Sequence, residues 1–207
     1  MAPTSPERVT LVAALGRDRG RAVWTALGGA AVFAASGRAA VRGVGPAERR
    51  WFEVLNGLPA RPYPVVWPVM QVGSLGGVLA TSAATALVGR PQLAGRLLVC
   101  GSATWLGAKA VKPFIRRGRP GTALDVSRLL GRPQRGLGYP SGHAAVAATL
   151  AVVASPHLPR VARPLAWAAA ATAGCARVYV GAHLPLDVAG GAALGCAVGA
   201  TAHLVTA

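Results

Sequence analysis

Three short polar clusters interrupt an otherwise apolar chain, and each carries side chains suited to a phosphate. The first runs from Lys112 across six residues to Arg119-Pro120. The second is Pro140-Ser141-Gly142-His143. The third holds Arg177, His183 and Asp187 at intervals of six and four. Lys112, Arg119 and Arg177 bring positive charge and many N–H donors, which match phosphoryl oxygens. Gly142 opens an apolar run, so the amides of a helix N-terminus can close on an anion there with no Cβ in the way. Ser141 adds a hydroxyl beside it. His143 and His183 supply two imidazoles, one able to attack phosphorus and one able to protonate a leaving oxygen. Asp187 follows His183 by one helical turn, and Pro185 suits the first turn of a helix. A carboxylate at that spacing can take the Nδ1 proton of His183, fix its tautomer and stabilise the imidazolium. Because cationic side chains already neutralise the phosphate, this chemistry calls for no metal and no cofactor.

Six apolar stretches must position these clusters: 22–41, 64–88, 93–111, 142–158, 164–182 and 185–206. Several approach the ~20 residues that cross a bilayer, and the short 142–158 stretch needs its flanks or a tilt to do so. They are rich in small residues, as in "GSLGGVLATSAATALVG" and "AGGAALGCAVGATA", which lets membrane helices pack backbone to backbone. The expected fold is all-α: one domain over residues 1–207, built as a six-transmembrane-helix bundle. Between the first two stretches, Trp51, Phe52, Val54 and Leu55 alternate with Glu48, Arg49, Arg50 and Glu53. That pattern predicts a short amphipathic helix lying on the membrane surface. Counting crossings puts the end of the third span, the start of the fourth, the end of the fifth and the start of the sixth on one face. All three clusters then meet. The longest polar segment, Pro113 to Pro140, has no apolar periodicity, and loops of that length are functional or disordered.

Composition points the same way. Hydrophobic residues make up 53% of the 207 and charged residues 14%, against roughly 25% charge in a soluble domain. Mean hydropathy is +0.44. A net charge of +16 would ordinarily suggest nucleic acid or anionic lipid. With 5% aromatic residues and no basic run interleaved with Phe or Tyr, nucleic acid is set aside as a partner. Cys100, Cys175 and Cys196 sit in apolar stretches without a CxxC spacing and read as small buried thiols. His157 and His203 read as incidental. The polar start "MAPTSPERVTLVAALGRDRGR" has no long apolar core, so no cleaved secretory signal is expected.

Taken together, the clusters resemble the signature of the type 2 phosphatidic acid phosphatases, the lipid phosphate phosphatase superfamily. That signature has a Lys, six residues and Arg-Pro; then Pro-Ser-Gly-His; then Ser-Arg, five residues, His, three residues and Asp. The likeness covers about residues 105–190, with Ala176 where the family has Ser. It implies a metal-independent membrane phosphatase of bacterial cell-envelope lipid metabolism that hydrolyses a phosphate monoester or diphosphate on a lipid. Polyprenyl diphosphate, phosphatidic acid and phosphatidylglycerol phosphate all fit, as does a polyprenyl-linked sugar phosphate. By the resemblance His183 is the nucleophile and forms a phosphohistidine, Asp187 orients it, and His143 protonates the leaving group. Lys112, Arg119, Ser141, Gly142 and Arg177 would hold the phosphoryl oxygens. The family analogy puts the site on the extracytoplasmic face of a multi-pass cell-membrane protein, although the loop arginines do not support that orientation. The soluble vanadate-dependent haloperoxidases share such a pocket but not the apolar spans. A non-enzymatic lipid-binding or transport protein would explain Arg177 but not two histidines and an aspartate at these spacings.

Overall fold

The computed structural model describes residues 5–125 and 127–206, with side chains for residues 18–125 and 127–205. Among the described residues all regular structure is helical. The helices are α1 (Ser5–Val41), α2 (Pro46–Asn56), α3 (Tyr63–Gln71), α4 (Leu75–Leu87), α5 (Pro91–Ile115), α6 (Pro120–Ala123), α7 (Gly142–Ala154), α8 (Arg163–Tyr179) and α9 (Pro185–Thr206). Proline stands in the first turn of α2, α3, α5, α6 and α8, where its missing N–H costs no intrahelical bond.

Helix α7 is the centre of the bundle, and its residues from Ala144 to Ala151 are all buried. It lies against a glycine stripe on α9. A Cβ on Gly195 would collide with Ala145 O, and one on Gly199 would stand 2.9 Å from Val152 Cβ. Glycine at these positions therefore sets how closely the two backbones approach. Gly29 does the same for α1, where a Cβ would lie 2.8 Å from Ala193 O on α9. The small-residue composition thus becomes backbone contact. A polar link runs through the same layer: Thr104 Oγ1 of α5 meets Thr149 Oγ1 of α7 at 2.9 Å, and Thr149 donates to Gly195 O at 3.1 Å.

The apolar stretch 64–88 forms two helices, α3 and α4, which meet at a bend of 69°. Ser74 makes the break: its Oγ accepts from Gly77 N at 2.9 Å and caps α4. Gly73 completes it by letting the bend rest on the carbonyl of His143. Among the described residues one helix, Pro185–Val205, is by itself long and apolar enough to cross a membrane, and the bent α3–α4 pair qualifies jointly. Large apolar side chains are exposed on the outer faces of the bundle, among them Trp24 and Leu27 on α1, Leu79 on α4, Leu106 on α5 and Leu165 on α8.

Helix α2 forms where the amphipathic pattern predicts a short helix, but its faces are arranged differently. Phe52 is buried in a cluster with Leu124, Val178 and Leu184, and Leu55 packs against it. Trp51 and Val54, expected on the same apolar face, are exposed. Glu48, expected on the polar face, is buried, and so is Asn56. The inward face is mixed because Glu48 and Asn56 find polar partners in the bundle. Asn56 Nδ2 donates to Arg128 O at 2.7 Å and Tyr179 O at 3.0 Å, while Arg128 N donates to Asn56 Oδ1 at 2.8 Å. These bonds, with Leu130 N donating to Val180 O at 3.1 Å, fasten the long polar segment over the end of the bundle. The cysteine reading needs correction: Cys100 is buried, but Cys196 is only half-buried and Cys175 is exposed on α8.

Candidate active site

The three polar clusters come together at the end of the bundle where α5 finishes, α7 starts, and α8 turns into α9. Each pair of clusters is joined by direct bonds. Lys112 Nζ donates to the carbonyls of Leu137, Gly138 and Pro140 at 3.0, 2.9 and 3.0 Å. Arg119 Nη1 donates to Ala182 O at 2.7 Å. Ser141 N donates to Asp187 O at 2.8 Å. The convergence expected from counting spans is therefore present in three dimensions.

Asp187 stands in the first turn of α9, wholly buried, and its Oδ2 lies 3.2 Å from His183 Nδ1. Oδ2 also accepts from Leu184 N at 3.0 Å, and Oδ1 from Arg117 Nη1 at 3.2 Å. A carboxylate beside Nδ1 assigns the proton to that nitrogen. Nε2 then carries the lone pair, and it faces Arg119 Nη1 at 3.4 Å. Burial pulls the His183 imidazole down to about 4; Asp187 opposes this by hydrogen bond and charge, and Arg119 and Arg177 add to it. Neutral His183 is thus the resting form well below neutrality.

Arg177, in the last turn of α8, is buried. Its Nη1 meets the thioether of Met70 at 3.4 Å, and its Nε has no hydrogen-bond partner. A buried guanidinium against a sulfur is poorly satisfied, since thioethers are weak acceptors. It lines a cavity of about 540 Å³ with His143, Ala182, Tyr63, Trp67 and Met70. His143 lies within electrostatic reach of Arg177, His183 and Arg119. Gly142 is half-buried, and a Cβ there would meet nothing within 4 Å.

Two of the expected phosphate ligands also hold the local structure together. Ser141 is fully buried and caps α7, accepting from Ala144 N. Lys112 is occupied by the loop carbonyls described above. Two residues that sequence reasoning passed over belong to the site. Arg117 is buried and paired with Glu48 as well as Asp187. Burial opposes its charge, but the hydrogen bonds and charges of Glu48 and Asp187 raise its pKa above the usual arginine value. The signal for Glu48 was scarcity, because the chain has only six acidic residues. Among the described residues, no group of His, Cys, Asp and Glu is placed to hold a metal ion.

The family model of the PAP2 superfamily matches residues 92–207, more than half of the chain. The chain belongs to the PAP2 superfamily. All eight expected site residues, from Lys112 to Asp187, fall in the matched part of this PAP2 protein. Its fold is similar to that of a transmembrane PAP2-type phosphatidylglycerolphosphate phosphatase from Bacillus subtilis. The TM-score is 0.71 at 22% identity, covering 87% of this chain and 94% of that one. It is also similar to LpxE of Aquifex aeolicus, with a TM-score of 0.66 at 27% identity over 73% of this chain and 92% of that one. No curated protein matches the sequence.

Proposed function

We propose that this PAP2 protein is an integral membrane phosphatase that hydrolyses a phosphate monoester or diphosphate on a lipid. The observation that carries the reading is the His183–Asp187 pair, which aims the Nε2 lone pair beside Arg119. In the first step Nε2 attacks phosphorus. The P–N bond forms as the bond to the lipid oxygen breaks, and His143 gives its proton to that oxygen. Asp187 holds the Nδ1 proton and balances the imidazolium that results. In the second step water attacks phosphorus, His143 takes its proton, and inorganic phosphate leaves with neutral His183 restored. Arg119, Arg177 and the amides at Gly142 bind the phosphoryl oxygens and stabilise the charge that builds on them. Lys112 and Ser141 complete the phosphate pocket through the loop and helix they hold. No metal takes part, because the arginines supply the neutralising charge.

The membrane reading draws on the many large apolar side chains exposed on the outer faces of α1, α4, α5 and α8, which a protein surrounded by water tends to cover. It is also what the Bacillus subtilis relative's description as transmembrane would lead one to expect. We take the whole chain as one domain with six crossings: α1, the bent α3–α4 pair, α5, α7, α8 and α9. Helix α2 would sit at the interface with Trp51 and Val54 outward, and the site would face the extracytoplasmic side. A lipid then places its head in the cavity while its tail stays in the bilayer.

The test is phosphate release by the purified protein in detergent with EDTA present. The lipid panel is polyprenyl diphosphate, phosphatidic acid, phosphatidylglycerol phosphate and a polyprenyl-linked sugar phosphate. EDTA-resistant release that is lost in His183→Ala supports the reading, and the fastest lipid names the substrate. A folded protein that releases phosphate from none of them, yet binds the lipids, supports the lipid-binding or transport alternative.

A further inference from the structure

We infer that Glu48 and Arg117 are positioning residues for the reaction: Arg117 holds Asp187, and Glu48 cancels the charge of Arg117 so that Asp187 faces His183 with its negative charge undiminished. This rests on the phosphatase reading above and goes beyond its motif residues, since Glu48 lies on α2, far from all three clusters in sequence.

The geometry is a buried chain of alternating charge. Arg117 Nη1 lies 3.0 Å from Glu48 Oε1 and 3.2 Å from Asp187 Oδ1, and Nη2 pairs with Glu48 Oε2. Side-chain exposure is 4% for Arg117, 6% for Glu48 and zero for Asp187, so their charges interact with little screening. Glu48 Oε1 also accepts from Leu186 N at 2.9 Å, the residue just before Asp187. One carboxylate thus restrains both the guanidinium on Asp187 and the backbone that carries Asp187. Arg117 Nη2 donates further to Gly43 O at 3.2 Å, which anchors the turn leading into α2.

Charge counting says why the glutamate is there. With His183 neutral, the group His183, Asp187, Arg117 and Glu48 carries one net negative charge. When Nε2 bonds to phosphorus and the ring keeps its Nδ1 proton, His183 becomes cationic and the group becomes neutral. Without Glu48 these residues would begin neutral and end with one net positive charge in a buried group, which is costly. The other groups that bear on His183 cannot replace it. Arg119, Arg177 and His143 are all basic, and the first two already disfavour a positive charge on the ring.

The experiment compares wild type, Glu48→Gln, Arg117→Gln and the double variant in detergent. Two readouts are taken: turnover of phosphatidic acid or polyprenyl diphosphate in mixed micelles, and the His183 titration followed by imidazole NMR without substrate. Glu48→Gln keeps the shape and the acceptor for Leu186, so it is expected to lower kcat about tenfold or more with KM little changed. It should also move the His183 titration to lower pH. Arg117→Gln should move that titration the other way. The double variant, which restores one net negative charge, should recover both the titration and kcat toward wild type. Same-direction shifts in the two single variants, or a double variant worse than either, would mean a purely structural role and would overturn the inference. An unchanged kcat and titration in Glu48→Gln would overturn it as well. If wild type cleaves neither lipid, the phosphatase reading fails, while the titrations still decide whether Glu48 and Arg117 set the charge at His183. Should Glu48→Gln not fold, Arg117→Gln against the double variant carries the same comparison of sign.

Discussion

Lys112 Nζ lies 3.0 Å from Pro140 O, and this bond ties the end of α5 to the start of the Pro-Ser-Gly-His turn. With Leu137 O and Gly138 O it gives the ammonium three carbonyl partners. Lys112 therefore shapes the phosphate pocket by holding the loop at the mouth of α7. Replacing it by Met should cost roughly 1–3 kcal/mol in stability, the usual range for carbonyls and charges left unpaired, and lower activity with it. Lys112→Arg should not restore either, since a planar guanidinium cannot aim its donors at three converging carbonyls. Thermal unfolding and turnover measured on the same preparations check this. A stable and inactive Lys112→Met would mean that the lysine acts on substrate directly.

Two neighbouring glycines are expected to respond in opposite ways to the same substitution. A Cβ on Gly138 would stand 2.8 Å from Asp187 Oδ2 and 3.0 Å from Gly118 O. Gly138→Ala must therefore push the loop off Asp187, at about 1–3 kcal/mol. A Cβ on Gly142 meets nothing within 4 Å, so Gly142→Ala should fold like wild type. It should nonetheless bind orthovanadate or phosphate more weakly, because the methyl group occupies the space where an anion would approach the α7 amides. Unfolding temperature and anion affinity together distinguish the two cases.

The pH behaviour follows from His183. Its folded value is about 4, below the usual histidine value of about 6.5, chiefly through burial. The unfolded chain then binds the extra proton between these values and the folded chain does not. The stability contributed by neutral His183 is complete above about pH 6.5 and is lost as pH falls toward 4. Asp187→Asn takes away the interaction that raises the imidazole, so its titration should fall further. Imidazole NMR of the free protein is the check. A His183 titration near the ordinary value would show that the ring is more solvated than this packing allows.

Arg177 should be intolerant of lysine. Its buried guanidinium offers a fork of donors to the cavity, with Nε unpartnered and Nη1 against the Met70 sulfur. Lysine presents one compact charge and cannot bridge two phosphoryl oxygens in the same way. We expect Arg177→Lys to raise KM and lower kcat/KM by about tenfold or more, the effect of a single well-placed charged contact. Steady-state kinetics on the fastest lipid of the panel measure it.

The convergence of the site was legible because the clusters fall at the ends of apolar stretches, and those stretches fold into helices whose ends meet. The close packing of α7 on α9 was legible in the small residues that became Gly195 and Gly199. Glu48 was not. Polarity grouped it with Arg49, Arg50 and Glu53, and its partner Arg117 lies 69 residues away among other loop arginines. No local pattern distinguishes an arginine that faces a buried carboxylate from one that faces solvent. The bend at Ser74 was hidden for a different reason: the stretch 64–88 stays apolar through the break, and a capping serine hardly changes its hydropathy.

The central claim is that His183 carries the phosphoryl group, and trapping that adduct tests it most directly. The protein would be mixed briefly with a lipid bearing labelled phosphate, quenched in base, and digested for mass spectrometry. An acid-labile, base-stable phosphate on the peptide that holds His183, absent from His183→Ala and longer-lived when hydrolysis of the P–N bond is slowed by His143→Ala, is the expected result. Turnover in wild type with no label on that peptide, or a label that persists in His183→Ala, would contradict the account.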